Sequence, residues 1–290
     1  MGHPIILHCN YVEQGQSLDR MCELAVRWGY DGIEFRRCRS DVGETPAQYL
    51  DSLAQAVERH KLRHVLFGGP GPELMQADAA VQRQELDDAI SFYRAAAKRF
   101  ELTVCNTFAG VLQSDAPYHE FDKNGSAIAT DEQFAAAVHG FQALGDLATE
   151  LGFRFAFELH NVYLHDLPEP ARRLVDAIDR PSVGLNMDYG NIAIYPENPP
   201  SLEQSLEICG DRIYLVHLKN LHLVMSARYL NWIGCPLAEG MINNRQFLRG
   251  LQDQGFDGPL VIEAPWPGDR EHFAVEDLAY LKALISELGM

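Results

Sequence analysis

Eight short apolar runs, separated by stretches of helical hydrophobic spacing, constrain this chain more than any other feature. The runs cover 4–8, 32–35, 62–67, 102–107, 153–158, 183–188, 212–217 and 259–263. Between them, apolar residues recur at every third or fourth position, as in Leu18, Met21, Cys22, Ala25 and Trp28, or Leu86, Ile90, Tyr93, Ala97 and Phe100. That spacing gathers them on one face of a helix. Repeated strand–helix units build a parallel sheet. Eight units in 290 residues predict an α/β fold, a single (β/α)8 TIM barrel occupying 1–290 as one domain. An open doubly wound sheet is the alternative, but no Gly-rich dinucleotide fingerprint follows any run.

A short echo supports repeated units. WGYDGIEF, LGFRFAFE and QGFDGPLVIE each pass from a helix end through Gly and an aromatic into a strand ending in Glu. Gly29, Gly152 and Gly255 suit the left-handed turn that closes a helix. Two connections are long, from about 108 to 130 and from about 218 to 243. Both follow strands, so both belong on the barrel face that carries active sites, as lids or substrate walls.

Composition narrows the partners. A net charge of −17 repels phosphate backbones and anionic lipids, so nucleic acid and membrane surfaces are not expected. The six cysteines are scattered without a CxxC pair, which fits a reduced, cytoplasmic protein rather than a disulfide framework or thiolate zinc site. No signal peptide and no membrane-length apolar stretch is legible.

Four of the later runs close on chemistry-bearing residues: Glu158 in RFAFELH, Asp188 in VGLNMDYGN, His217 in RIYLVHLKN and Glu263 in PLVIEAP. Any one charged strand end has an ordinary reading, because the chain is leaving the core there. The set is harder to dismiss. Side chains alternate along a strand, so if these four point into the barrel, Ala156, Asn186, Leu215 and Val261 do too. Most of those companions are small or apolar, as a filled interior requires. Three converging carboxylates repel one another unless a cation lies between them. One imidazole with three carboxylates is a mostly oxygen site. It suits one divalent ion, Mn²⁺ first, with Mg²⁺, Co²⁺ or Zn²⁺ also compatible.

The chain resembles the xylose isomerase-like TIM-barrel superfamily, and within it the sugar phosphate isomerase/epimerase group. The resemblance rests on WGYDGIEF, FELH, MDYGN, HLKN, LVIE and PLAEGMIN. It implies that Glu158, Asp188, His217 and Glu263 bind one metal ion, and that Glu158 and Glu263 also act as the catalytic acid/base pair. The activity it implies is isomerisation or epimerisation of a ketose or related polyol-carbonyl through an enediolate. Dehydration of the inosose or dehydroshikimate type, or a sugar-binding barrel without turnover, are the alternatives. Many relatives carry His where Asn191 stands, and the loop SARYLNW lacks the further ligands of the related apurinic endonucleases. The expected partner is a small-molecule sugar, with homo-oligomers frequent in the group.

Further residues are candidates for substrate contact: His160, Lys219, Asn191, Trp266, Glu34, His8 and Asn106. Each has a plainer reading. His160 could be structural, Lys219 solvated, Trp266 packed in its loop, and Glu34 paired with Arg36 or Arg37. No phosphate cradle is visible, which favours an unphosphorylated sugar.

Overall fold

The computed structural model describes residues 2–13, 15–39, 42–118, 120–195, 198–225, 230–263 and 268–290. Barrel strands and helices alternate from the first run onward. They are β1 (Ile5–His8), α1 (Leu18–Trp28), β2 (Gly32–Phe35), α2 (Pro46–His60), β3 (His64–Phe67), α3 (Ala79–Ala97), β4 (Val104–Thr107), α4 (Asp131–Leu151) and β5 (Arg154–Glu158). There follow α5 (Pro168–Ile178), β6 (Val183–Asp188), the short α6 (Tyr189–Ala193), α7 (Leu202–Cys209) and β7 (Ile213–Leu218). After a hairpin, β8 (Asn220–Met225) and β9 (Leu230–Cys235), come α8 (Asn244–Asp253), β10 (Leu260–Ile262) and α9 (Arg270–Leu288).

The eight barrel strands run parallel in the order β3-β2-β1-β10-β7-β6-β5-β4. β3 and β4 pack side by side and bring the sheet's two ends together, so the barrel is nearly closed. The final ladder strand stops at Ile262, but the Glu263 N–H still donates to the Leu218 carbonyl at 2.9 Å.

Local sequence explains the elements. Thr45 and Ser201 close capping boxes with Gln48 and Gln204, satisfying amides that the first helical turn leaves unpaired. Gly29, Gly152 and Gly255 take φ of 89°, 79° and 71°, the left-handed turns expected at those helix ends.

Two apolar layers form. One lies between strands and helices and includes Phe35, Phe67, Phe141, Phe155 and Phe247. The other fills the barrel itself: Ile6, Leu66, Val104, Ala156, Leu215 and Val261, all buried. Ala156, Leu215 and Val261 are three of the four companions expected to point inward. The fourth, Asn186, is buried and donates to Asn106 Oδ1 at 3.1 Å.

The two long connections are ordered differently. The first carries 3₁₀ turns at Phe121–Lys123 and Gly125–Ile128 and bridges to the loop after β5 through Val111 and Tyr163. The second is the antiparallel β8–β9 hairpin. All six cysteines are free. Among the described residues, no helix is long and apolar enough to cross a membrane.

Candidate metal centre

Two residues beyond the apolar interior layer, the same strand faces become polar. Ile6 leads to His8, Val104 to Asn106, Ala156 to Glu158, Leu215 to His217 and Val261 to Glu263, by the two-residue repeat of a strand. This second layer lies at the C-terminal end of the strands. β3 contributes Gly68 there, and a Cβ on Gly68 would stand 2.3 Å from Glu34 Oε1. The missing side chain is what lets the Glu34 carboxylate sit inside the ring.

Glu158, Asp188, His217 and Glu263 converge: one ligand atom from each lies within 4.8 Å of all the others. His217 Nδ1 is 3.7 Å from Glu158 Oε2, 3.8 Å from Asp188 Oδ2 and 3.3 Å from Glu263 Oε2. The other imidazole nitrogen, Nε2, is 2.9 Å from Glu34 Oε2. A carboxylate can only accept, so Nε2 carries the proton. Nδ1 is buried and has no hydrogen-bond partner among the described residues. A bare lone pair aimed at three carboxylate oxygens is repulsive, so either a proton or a metal ion belongs between them. Buried oxygen donors with one imidazole suit a hard or borderline divalent ion.

The electrostatics point the same way. Burial, reinforced by Glu263 and Glu158, pushes Asp188 up to about 7 even though Lys219 Nζ is 2.7 Å away. Burial opposes charge on His217 too, but the Glu34 and Glu158 carboxylates hold its imidazole well above the usual range. Desolvation works against charge on Glu263 as well, yet Lys219, with Nζ 2.8 Å from Oε2, keeps it well below the usual range, helped by His8 and His217. Burial likewise works against charge on Glu34, and His217 outweighs it. Negative charge is thus in excess at this point, and a divalent cation would let all three converging carboxylates ionise.

The remaining candidates take distinct places. Glu34 pairs with neither Arg36 nor Arg37: Arg36 Nε bonds Glu13 at 3.0 Å, and Arg37 Nε donates to the Pro70 carbonyl. Instead Glu34 lies beneath His217, 1% exposed. Asn106 bridges two carboxylates, donating to Glu158 Oε2 at 2.7 Å and Glu34 Oε1 at 3.2 Å. Asn191 Nδ2 is 3.2 Å from Glu158 Oε1 and 3.0 Å from Asp188 Oδ2, while its Oδ1 accepts from Lys219 at 3.2 Å. His8 closes β1 with Nε2 3.9 Å from Glu34 Oε1 and its ring edge-on to His217. His160 donates from Nδ1 to the Asn161 carbonyl at 2.8 Å. Trp266 lies outside the described residues.

Beside the cluster is a cavity of about 260 Å³, walled by Tyr118, His160, Asn161, Asn191, Lys219, Trp232 and Glu263 among others. It is below the roughly 300–1,000 Å³ of drug-sized sites, a size for a small polar molecule. Tyr118, Asn161 and Trp232 are additions to the expected set. The two long connections marked for substrate walls carry Tyr118 and Trp232, so position along the chain was the available signal. Asn161 had none beyond standing next to His160.

Fold and site together define a class: a parallel (β/α)8 barrel whose C-terminal mouth gathers one imidazole and three carboxylates able to hold a divalent ion. The chain belongs to the xylose isomerase-like TIM barrel family, whose model matches residues 22–284. An inosose dehydratase of Lacticaseibacillus casei is 25% identical over 171 residues, 54% of this chain and 56% of that protein. The chain spans about half the length of the curated relatives it matches. A xylose isomerase-like TIM barrel protein from Mycobacterium smegmatis, in complex with magnesium, superposes with TM-score 0.77 at 17% identity, covering 98% of this chain and 97% of that one. A D-allulose 3-epimerase from Methylomonas sp., in complex with D-allulose, gives 0.72 at 18% identity, over 98% and 99%. At such identities these structural likenesses establish the fold.

Proposed function

We propose that this protein is a divalent-metal-dependent enzyme that moves a proton beside the carbonyl of a small polyhydroxylated substrate, with epimerisation or isomerisation of a ketose as the leading outcome. The observation that carries the reading is the convergence of Glu158, Asp188, His217 Nδ1 and Glu263 beside a cavity of about 260 Å³. These four residues would hold the ion, Mn²⁺ or Mg²⁺ by donor chemistry. When bound, such an ion acts as a Lewis acid that stabilises negative charge developing on the substrate's oxygens.

The chain's own groups do the rest. β5 and β10 are separated in the ring by β6 and β7, so Glu158 and Glu263 approach the mouth from different sides. One carboxylate takes the proton from the carbon beside the carbonyl, leaving an enediolate; the other, protonated, returns one. Return to the opposite face of the same carbon inverts it, and return to the neighbouring carbon exchanges aldose and ketose. Asn191 and Lys219, both bonded to Asp188, hold that carboxylate in place and edge the cavity.

Dehydration is the second reading, favoured by the sequence match to inosose dehydratases. There the first proton leaves as before. A neighbouring hydroxyl then departs as water, taking its proton from the second carboxylic acid.

The test is metal analysis followed by NMR in D₂O with ketoses and an inosose. About one divalent ion per chain is expected, removable by chelator with loss of activity and of thermal stability, and restored on re-addition. Deuterium should enter beside the carbonyl of at least one ketose, and Glu263→Gln should abolish that exchange while keeping the fold. Water loss from the inosose without exchange into any ketose would select the dehydratase. Metal bound tightly, with neither exchange nor water loss, would mean a binding barrel and overturn the enzyme reading.

A further inference from the structure

One wall of the cavity is made by the residue after His160. Asn161 is 1% exposed, and its side-chain amide is only half used. Oδ1 accepts a hydrogen bond from the Tyr118 hydroxyl at 2.8 Å, whereas Nδ2 is buried with no partner among the described residues. An unmade amide donor in the interior is costly, so such a group is ordinarily completed by a partner.

The backbone holds Asn161 in this pose. The next residue, Val162, has φ of 63°, a left-handed conformation that a β-branched side chain adopts only under strain. Its carbonyl is tied to the Leu112 N–H at 2.7 Å. The turn is therefore clamped to the connection that carries Tyr118. Tyr118 reaches across and donates to Oδ1, which leaves the Nδ2 end of the amide pointing away from it.

His160 stands beside it in the same wall, its Nδ1 turned to the Asn161 carbonyl at 2.8 Å. The Asn161 amide thus brings a donor without charge to the cavity. A hydroxyl group can accept from that donor. To an anionic phosphate or carboxylate the amide offers no charge to pair with.

We propose that Asn161, bonded to Tyr118 at the cavity wall, is a specificity-determining residue that reads a hydroxyl of an uncharged polyol beside the metal centre. This rests on the functional reading above, and it narrows the substrate class to unphosphorylated, hydroxylated molecules.

Binding, measured apart from turnover, tests it. Mn²⁺-loaded protein is titrated calorimetrically with D-fructose, an inosose, their phosphorylated counterparts, and singly deoxygenated derivatives of whichever binds. Wild type should bind an uncharged polyol and lose roughly tenfold or more in affinity when one particular hydroxyl is missing. Asn161→Asp keeps an acceptor for Tyr118 and exchanges the amide donor for a carboxylate oxygen, with one added negative charge. It should bind the full polyol about tenfold more weakly, discriminate poorly against that one deoxy derivative, and keep Mn²⁺ affinity. Tyr118→Phe should shift binding in the same direction by less, and it serves as the probe if Asn161→Asp does not fold. Equal losses for the full and deoxygenated ligands would make Asn161 merely structural and overturn the proposal. So would preferential binding of the phosphorylated compounds, or no polyol binding by wild type. Asn161-dependent polyol binding without any deuterium exchange or water loss would instead leave this inference standing and sink the enzymatic reading.

Discussion

At the scale of single residues, the chemistry of the mouth is decided by which atom of each side chain faces which neighbour. The four converging residues were legible in the sequence because each ends an apolar run, and position in a βα unit fixes where a strand ends. Glu34 was visible as a strand end too, but its role was not. Nothing in GIEF distinguishes a carboxylate that meets a substrate from one that holds an imidazole; the 2.9 Å contact with His217 Nε2 makes that distinction. A carboxylate there fixes the tautomer and raises the basicity of Nδ1. Glu34→Gln should therefore weaken divalent-metal binding by roughly 10–100-fold with the fold intact. The comparison is metal titration of wild type and variant at one pH, and an unchanged affinity would remove Glu34 from any positioning role. Asn191 edges the cavity, as a substrate contact would, and it also bonds two of the converging carboxylates.

At the scale of elements, alternation was enough to place all eight barrel strands and the inward faces of the four that end in Glu158, Asp188, His217 and Glu263. Ala156, Leu215 and Val261 sit in the interior layer because period two admits no other choice once Glu158, His217 and Glu263 point inward. The hairpin of β8 and β9 escaped a strand reading. Its apolar residues Leu223, Val224 and Ile233 are exposed rather than packed. Also invisible was the seat left open by Gly68, since a glycine after a strand reads as a turn. Gly68→Ala would put a methyl 2.3 Å from Glu34 Oε1. Glu34 is held by His217 and Asn106 and cannot move without breaking those bonds. The substitution should cost about 1–3 kcal/mol of stability, as overpacking does, and should weaken metal binding along with it. Denaturant titration and metal titration on the same protein check both. Loss of stability with full metal affinity would show that the ring of strand ends tolerates a displaced Glu34.

For the whole molecule, the acid side of the stability curve is where one buried group can be followed through the fold. His165 is 0% exposed, in the loop that carries Asn161. Its Nδ1 donates to the Glu158 carbonyl at 2.5 Å, and Nε2 accepts from the Ala109 N–H at 3.3 Å. Around it stand the rings of Phe108, Phe157 and Tyr163, and the His160 imidazole also disfavours its charge. Burial lowers its pKa to about 3, against the pull of the Glu158 carbonyl. The ordinary value is about 6.5, so the unfolded chain takes up a proton that the folded one refuses. The stability His165 contributes is complete above about pH 6.5 and drains away as pH falls towards 3, at about 1.4 kcal/mol per pH unit. By pH 4.5 the loss is about 2.7 kcal/mol. In His165→Asn an amide can still donate to the same carbonyl and accept from the same N–H, but it cannot bind the proton. Denaturant unfolding from pH 7.5 to 4.5, with chelator present in both samples, should give a shallower acid limb for the variant by close to one proton. The carboxylates of the mouth titrate alike in both proteins, so they cancel in the difference. Parallel acid limbs would mean that the His165 site opens to solvent before the barrel unfolds.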